Sequence, residues 1–167
     1  NARPQPLDLS PLQELPKMWK NVSFNKVSFA YNDENDHALY DVSLDIKRGE
    51  KIALVGPSGA GKSTFIKLLM KQMWPGDGII TVDDTDLRHI RGVDWLGVIG
   101  FVPQDVELFN MSIRENVLLD RVDDVSEEQY QNALKQAAFD EFIATLPEGD
   151  ATYIGERGIK LSGGQRQ

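Results

Sequence analysis

Apolar and polar residues alternate along three stretches in the first part of the chain. These stretches are residues 22–24, 27–31 and 39–46, and a polar segment at residues 32–36 separates the second from the third. A period of two places successive side chains on opposite faces of a β-strand. We therefore expect half-buried strands at these three positions, with a turn at residues 48–50 after the last of them.

Shorter apolar runs predict three more strands, at residues 51–55, 79–82 and 98–102. Between the first and second of these runs, apolar side chains recur at helical spacing over residues 63–73. The turn-forming sequence of residues 75–78 ends that predicted helix.

From residue 106 onward the pattern is helical. Ser126 and Gln129 have the spacing of a capping box, in which each side chain satisfies a backbone N–H of the other residue. Apolar residues follow at helical spacing, at Tyr130, Ala133, Leu134, Ala137 and Ala138. We expect a helix that begins at Ser126.

The N-terminal segment, residues 1–18, has a different character. Four of the chain's eight prolines lie in its first sixteen residues. Proline has no backbone N–H and a fixed φ, so this segment cannot keep a regular helix or a central strand. We interpret it as a linker or arm.

Composition and charge narrow the function classes. The chain has 167 residues, 41% of them hydrophobic, and no cysteine, which excludes disulfide scaffolds, thiolate metal sites and cysteine nucleophiles. No apolar run approaches the roughly 20 residues that span a bilayer. The net charge of −8 argues against nucleic-acid binding, and residues 120–150 alone contain nine acids and two bases. An anionic ligand would therefore need a local binding device elsewhere.

A glycine-rich sequence between the strand predicted at residues 51–55 and the helix predicted after it supplies such a device. It reads Gly56-Pro57-Ser58-Gly59-Ala60-Gly61-Lys62-Ser63 and fits the Walker A pattern. Glycines let the backbone turn tightly, so that successive N–H groups point at phosphate oxygens, and the helix start adds partial positive charge. Lys62 would reach the β- and γ-phosphates of a nucleotide, and the Ser63 hydroxyl would ligate Mg²⁺. The alternative is a glycine-rich turn with a surface lysine.

Three further stretches resemble motifs of ATP-binding-cassette (ABC) ATPases. The sequence Leu161-Ser162-Gly163-Gly164-Gln165 resembles their signature, Phe101-Val102-Pro103-Gln104-Asp105 their Q-loop, and residues 27–31 the strand that ends in their aromatic A-loop. The order and spacing agree from about residue 22 to residue 167. The resemblance implies an α/β fold: a P-loop NTPase core with a RecA/F1-like mixed sheet, an antiparallel β subdomain and an α-helical subdomain. It also implies domain bounds of 19–103 for the β subdomain with the Walker A core and 104–167 for the Q-loop and helical subdomain.

The resemblance also gives each matching residue a role. Adenine would stack on Tyr31, and Gln104 would contact Mg²⁺ or the attacking water and sense the γ-phosphate. The signature would meet the γ-phosphate held by a second nucleotide-binding domain, in a head-to-tail dimer with two shared sites. Lys62 and Gln104 are then the expected catalytic residues, and Ser63 and Gln104 the expected metal contacts. The residues expected to bind ATP are Tyr31, Gly56, Pro57, Ser58, Gly59, Ala60, Gly61, Lys62, Ser63, Thr64, Gln104, Ser162, Gly163, Gly164 and Gln165.

Two stretches are similar to the exporter branch of that family. Ile154-Gly155-Glu156-Arg157-Gly158 resembles the exporters' X-loop, and residues 108–116 resemble the sequence that usually follows the Q-loop in exporters. An exporter implies a transmembrane domain as partner, placed before the arm. It also implies a location at the cytoplasmic face of a membrane, or the matrix side in an organelle, with membrane association only through that domain. The alternatives are a soluble ABC ATPase acting on DNA or ribosomes, and a fragment that only binds nucleotide or self-associates.

Residues 79–84, Ile-Ile-Thr-Val-Asp-Asp, superficially resemble a Walker B strand with its carboxylates. They follow the Walker A sequence too closely, and ABC ATPases have a β-hairpin of similar sequence at this place, so the resemblance implies a hairpin there. In the family, the Walker B strand, the D-loop and the switch histidine follow the signature, and the 167 residues contain none of them. We therefore expect the C-terminal core strands to be missing. These residues alone should bind nucleotide without appreciable hydrolysis and should self-associate through an exposed sheet.

Overall fold

The computed structural model describes residues 11–32, 36–121, 123–155 and 161–167. The chain divides into two compact units, Asn1–Gly100 and Phe101–Gln167. Within the described ranges, no helix is long and apolar enough to cross a bilayer.

The first unit is built on a four-stranded antiparallel sheet with the order β2-β1-β3-β4. The strands are β1 Asn21–Ala30, β2 His37–Lys47, β3 Asp77–Val82 and β4 Thr85–Asp86. The alternating patterns thus predict strands correctly, although residues 22–24 and 27–31 lie in or just after one strand, β1. The register between β1 and β2 shifts after Phe24, because the next residues bulge out of the ladder.

Two helices and a 3₁₀ turn cover this sheet. They are α1 Lys62–Leu69, α2 Gly92–Leu96 and the 3₁₀ turn Leu87–His89. Phe24 of β1 stacks on Phe65 of α1 with ring centroids 4.3 Å apart. Twelve buried side chains form this core: Val22, Phe24, Val27, Phe29, Leu39, Phe65, Leu68, Ile80, Val82, Leu87, Ile90 and Trp95.

The strand predictions at residues 51–55 and 98–102 are wrong, because neither segment has strand structure. Both leave apolar side chains open to solvent: Val55 is 91% exposed and Val102 is 64% exposed. A strand is held by hydrogen bonds to a neighbouring strand, and the described part of the chain pairs no strand with either segment. The apolar composition of these residues favours strand structure, but in the described part of the chain no neighbouring strand forms hydrogen bonds with them.

The described part of the arm, residues 11–18, forms no helix or regular strand, as its prolines predict. It nevertheless docks on the first unit through an isolated parallel bridge between Gln13 and Ile90. Leu15 and Trp19 pack against the core, and the Trp19 ring lies 6.2 Å from the ring of Trp95. The arm is therefore part of this unit from residue 11 onward; residues 1–10 lie outside the described ranges.

The second unit is helical, as the pattern after residue 106 predicts. Its helices are α3 Ile113–Leu118, α4 Glu127–Gln136, α5 Asp140–Ala144 and α6 Gly163–Arg166, with a 3₁₀ turn at Gly149–Ala151. The predicted capping box at Ser126 is confirmed: its hydroxyl accepts from Gln129 N–H, and the Gln129 amide oxygen accepts from Ser126 N–H. Together with the sheet of the first unit, these helices give the expected mixed α/β class.

Arg114 of α3 holds three elements of the second unit together. Its guanidinium donates to Glu127 at the start of α4 and to Asp150 of the 3₁₀ turn, the latter at 3.1 Å, and lies 4.4 Å from the ring centre of Tyr130. Hydrogen bonding to Arg114 lowers the pKa of Glu127 below its ordinary value. Burial raises the pKa of Tyr130 above its ordinary value. Part of the acidic region of residues 120–150 thus forms this ion-pair network.

Candidate functional site

The predicted phosphate loop joins an extended segment to α1 through a tight turn. Ala60 N–H donates to the Pro57 carbonyl at 3.3 Å, which closes the turn. Two of its residues, Gly59 and Gly61, have φ of 83° and 80°. This left-handed conformation is open to glycine and costly for other residues, so the spacing of these glycines follows from the backbone path.

Gly61 also meets a neighbour that leaves no room for a side chain. A Cβ at this position would lie 2.2 Å from the backbone oxygen of Ala38 and 2.8 Å from Cδ2 of Leu39, both on β2. At Gly59 a Cβ would meet nothing within 4 Å. Gly61 therefore lets the start of α1 approach β2, and this approach sets where the loop begins its helix.

Lys62 is the first residue of α1. Its ammonium folds back over the loop and donates to the carbonyls of Gly56 and Pro57, at 2.8 and 2.6 Å. Among the described residues it forms no ion pair with a carboxylate. A positive charge held only by neutral carbonyls, beside free N–H groups at a helix start, is suited to a phosphate group.

Tyr31 lies next to the first turn of α1. Its hydroxyl is 3.1 Å from Oγ1 of the buried Thr64, and its ring meets Phe29 edge to face at 5.0 Å between centroids. The side chain remains 40% exposed, so part of the ring is open to a ligand. The structure thus brings together Tyr31, Thr64 and the phosphate loop.

Lys67 also reaches this site, although the sequence analysis does not single it out. Its ammonium lies 5.7 Å from the ring centre of Tyr31, at the distance of a cation–π contact. Its place near the site could have been inferred from the sequence, because Lys67 follows Thr64 by three residues and this spacing puts both side chains on one face of a helix.

Gln104 and the signature lie in the second unit. Together they line a cleft of about 250 Å³, whose walls are Gln104, Asp105, Val106, Gly163, Gly164, Arg166 and Gln167. Ser162 caps α6 with its hydroxyl on Gln165 N–H, and the Gln165 side chain accepts from Ser162 N–H. The signature therefore opens a helix, as the resemblance implies. In the X-loop-like stretch, residues 156–158 lie outside the described ranges.

The β3–β4 pair confirms that residues 79–84 form a hairpin. Val82 pairs with Thr85 across the turn. The Asp83 carboxylate accepts from the backbone N–H groups of Lys20 and Asn21 at 2.9 and 3.1 Å, so it ties β1 to the hairpin. Of the two turn residues, Asp83 has a positive φ of 50° and Asp84 does not. Among the described residues, no group of three or more histidine, aspartate or glutamate side chains could hold a metal ion.

Comparison with known proteins gives the family. The family model described as ABC transporter matches residues 39–167. The uncharacterized ABC transporter ATP-binding protein YwjA of Bacillus subtilis (strain 168) is 44% identical over 147 residues, which are 88% of this chain and 25% of that protein. The ATM1-type heavy metal exporter of Novosphingobium aromaticivorans is 42% identical over 147 residues, covering 88% of this chain and 24% of its own length.

A solved structure of a bacterial Atm1-family ABC exporter with ATP bound has the same fold. It matches with a TM-score of 0.81 and 39% identity, over 96% of this chain and 27% of that one. The chain thus spans about a quarter of the length of these relatives. Because one family model covers most of the chain, and relatives above 40% identity agree with it, this chain belongs to the ABC transporter family, as its motifs predict.

Proposed function

We propose that the chain is the ATP-binding part of an ABC exporter, in which ATP binding and hydrolysis drive transport by an attached transmembrane domain. The phosphate loop carries this proposal: the ammonium of Lys62 is bonded only to the neutral carbonyls of Gly56 and Pro57 among the described residues, at a helix start whose first N–H groups have no intrahelical partner. The printed names of relatives, among them a heavy metal exporter and a putative multidrug export protein of Bacillus subtilis, support export as the process.

In this proposal Lys62 exchanges its two carbonyl partners for phosphate oxygens. Its bonds to Gly56 and Pro57 are neutral-acceptor bonds, and a charged phosphate acceptor makes stronger ones. The backbone of residues 59–63 surrounds the phosphates because the two left-handed glycines curl it inward. The exposed Ser63 hydroxyl, together with nucleotide oxygens, would hold Mg²⁺, which neutralises charge on the phosphates.

The adenine is assigned to Tyr31. Its half-open ring offers a flat surface, and the hydroxyl bond to Thr64 fixes the ring beside the loop. Base stacking on an aromatic ring contributes about 1–3 kcal/mol and does not discriminate strongly between bases. The remaining expected contacts in this unit are Gly56, Pro57, Ser58, Gly59, Ala60, Gly61 and Thr64.

The second unit would act on the nucleotide of another subunit. The cleft between Gln104 and Gly163–Arg166 offers an amide side chain, helix N–H groups and a guanidinium. We assign Gln104 to Mg²⁺ and the attacking water. We assign the signature residues Ser162, Gly163, Gly164 and Gln165 to the γ-phosphate across a head-to-tail dimer.

The assembly follows from the same proposal. We assign residues 1–18 to the connection from the transmembrane domain, 19–103 to the β subdomain with its Walker A core, and 104–167 to the Q-loop and helical subdomain. The chain would then work at the cytoplasmic face of a membrane, or at the matrix side in an organelle, without nucleic acid.

The test is equilibrium binding of a fluorescent ATP analogue with Mg²⁺, measured by anisotropy on the chain and two lysine variants. Loss of a charged hydrogen-bond donor weakens binding by about 10-fold to 100-fold, so Lys62→Ala should lose affinity to that extent. Lys51→Ala, at an exposed lysine outside the loop, should bind like the parent. Equal affinities of the two variants, or no binding by the parent at millimolar nucleotide, would overturn the proposal.

A further inference from the structure

The C-terminal end of α1 is fixed from outside the helix by residues 90–95. The indole Nε1–H of Trp95 donates to the carbonyl of Leu69, the last residue of α1, at 2.7 Å. The ammonium of Lys71, just after the helix, donates to the carbonyl of Ile90. Leu69 O is one of the carbonyls that an α-helix leaves without an intrahelical partner, so Trp95 supplies what the helix lacks.

Both contacts occupy constrained positions. Trp95 is 3% exposed, and its indole N–H would be left without a partner if Leu69 moved away. Lys71 has φ 58° and closes α1 in a Schellman arrangement, with Gln72 N–H on Lys67 O at 2.9 Å and Lys71 N–H on Leu68 O at 3.1 Å. Glycine usually occupies this left-handed position. Here a lysine takes it, and its side chain spans to Ile90.

The arm is held by the same segment. Gln13 N–H donates to His89 O at 2.7 Å, and Arg91 N–H donates to Gln13 O at 2.8 Å. Leu15 N–H donates to the Asp94 carboxylate at 3.3 Å. The rings of Trp19 and Trp95 lie 6.2 Å apart. Residues 89–95 therefore contact the arm on one side and the end of α1 on the other.

The helix between these contacts and the phosphate loop is short. It has eight residues, Lys62–Leu69, which corresponds to a rod of about 12 Å. A hydrogen-bonded rod of this length moves as one piece, so a shift at Leu69 becomes a tilt at Lys62. The phosphate-binding N–H groups lie at that other end.

We propose that Trp95 is a positioning residue for the phosphate loop, and that the docked part of the arm, residues 11–18, together with Trp19, sets the place of Trp95. The position of the arm then changes the affinity of the loop for nucleotide. This inference rests on the proposed function, since it requires that the loop bind nucleotide. It identifies a connection between the chain's N-terminal segment and the nucleotide site that passes through α2 and α1.

The test compares one substitution at two tryptophans in the full chain. Trp95→Phe keeps a ring in the buried site and removes the donor to Leu69 O. Trp19→Phe keeps the aromatic ring that faces Trp95, so the ring contact between the arm and Trp95 stays, and among the described residues the Trp19 indole N–H makes no hydrogen bond. Removing one neutral hydrogen bond from a coupled site should weaken binding of a fluorescent ATP analogue by about 3-fold to 10-fold in Trp95→Phe and by less than about 2-fold in Trp19→Phe.

A second variant tests the contact between the arm and the residue next to Trp95. Asp94→Ala removes the acceptor of Leu15 N–H and also the ion pair with Arg91 at 2.8 Å, whose backbone N–H binds Gln13 of the arm, and should weaken nucleotide binding by about 2-fold to 5-fold. If Trp95→Phe does not fold, the nucleotide affinity of Asp94→Ala tests the inference by itself. A spectroscopic readout accompanies both: in a Trp74→Phe background, emission comes only from Trp19 and Trp95, and saturating nucleotide should change it.

The outcomes separate the inference from the proposed function. A purely structural role would lower the unfolding temperature of Trp95→Phe and leave its nucleotide affinity equal to that of Trp19→Phe. That result, or unchanged tryptophan emission on saturation, overturns the inference while the proposed function stands. No nucleotide binding by the parent chain overturns both.

Discussion

Alanine substitution at the two left-handed glycines of the phosphate loop separates backbone strain from steric clash. Gly59 and Gly61 have nearly equal φ, 83° and 80°. An L-residue in this conformation costs about 1–2 kcal/mol, so strain affects both variants alike. The surroundings differ, because a Cβ at Gly59 meets nothing within 4 Å and one at Gly61 lies 2.2 Å from Ala38 O.

The clash at Gly61 cannot be relieved by a side-chain rotation, because its partner is the backbone of β2. The start of α1 has to move away from that strand, and overpacking of this kind typically costs a further 1–3 kcal/mol or so. We therefore expect the free energy of unfolding to fall by about 1–2 kcal/mol in Gly59→Ala and by about 2–5 kcal/mol in Gly61→Ala.

Urea unfolding followed by circular dichroism, without nucleotide, measures both values by linear extrapolation. The absence of nucleotide matters, since lost phosphate contacts would otherwise add to the difference. Losses that agree within about 0.5 kcal/mol would refute the close approach of α1 to β2 as the reason for Gly61.

Two further predictions concern the base site and the second unit. Tyr31→Ala should weaken binding of a fluorescent ATP analogue by about 1–3 kcal/mol, while Tyr31→Phe, which keeps the ring, should bind within about 2-fold of the parent. Equal binding by all three proteins would contradict stacking on Tyr31. Arg114 lowers the pKa of Glu127, and a lowered carboxyl pKa contributes stability above its ordinary value of 4.5 that is lost as pH falls through the folded value. In Glu127→Gln the free energy of unfolding should therefore fall less steeply below pH 4.5 than in the parent. Urea unfolding at a series of pH values measures this slope, and an unchanged slope would contradict the ion pair.

The features that sequence predicts well are local. The capping box at Ser126 needs only a hydroxyl and a glutamine three residues apart, and it occurs in the structure. The tight turn of the phosphate loop follows in the same way from its glycines, of which Gly59 and Gly61 have positive φ. In each case the groups that determine the conformation are neighbours in the chain.

The features that sequence misses depend on distant partners. Residues 51–55 have the composition of a strand, but a strand requires a neighbour to accept its hydrogen bonds. The prolines of the arm predict the lack of regular structure. They carry no information on the bond from Leu15 to Asp94, which joins residues 79 positions apart. The contacts of Lys67 with Tyr31 and of Trp95 with Leu69 O are long-range in the same way.

The measurement that tests the central claim most directly is a ¹⁵N-edited NMR titration of the chain with Mg²⁺-ATP, with backbone amides assigned. The claim is that backbone N–H groups of the loop and of the first turn of α1 hold the phosphates. It predicts that the amides of Gly59, Gly61, Lys62 and Ser63 shift most and saturate together, and that Lys62→Ala needs about 10-fold to 100-fold more nucleotide for the same response. Saturation with the largest shifts in another part of the chain, or no shift at millimolar nucleotide, would contradict it.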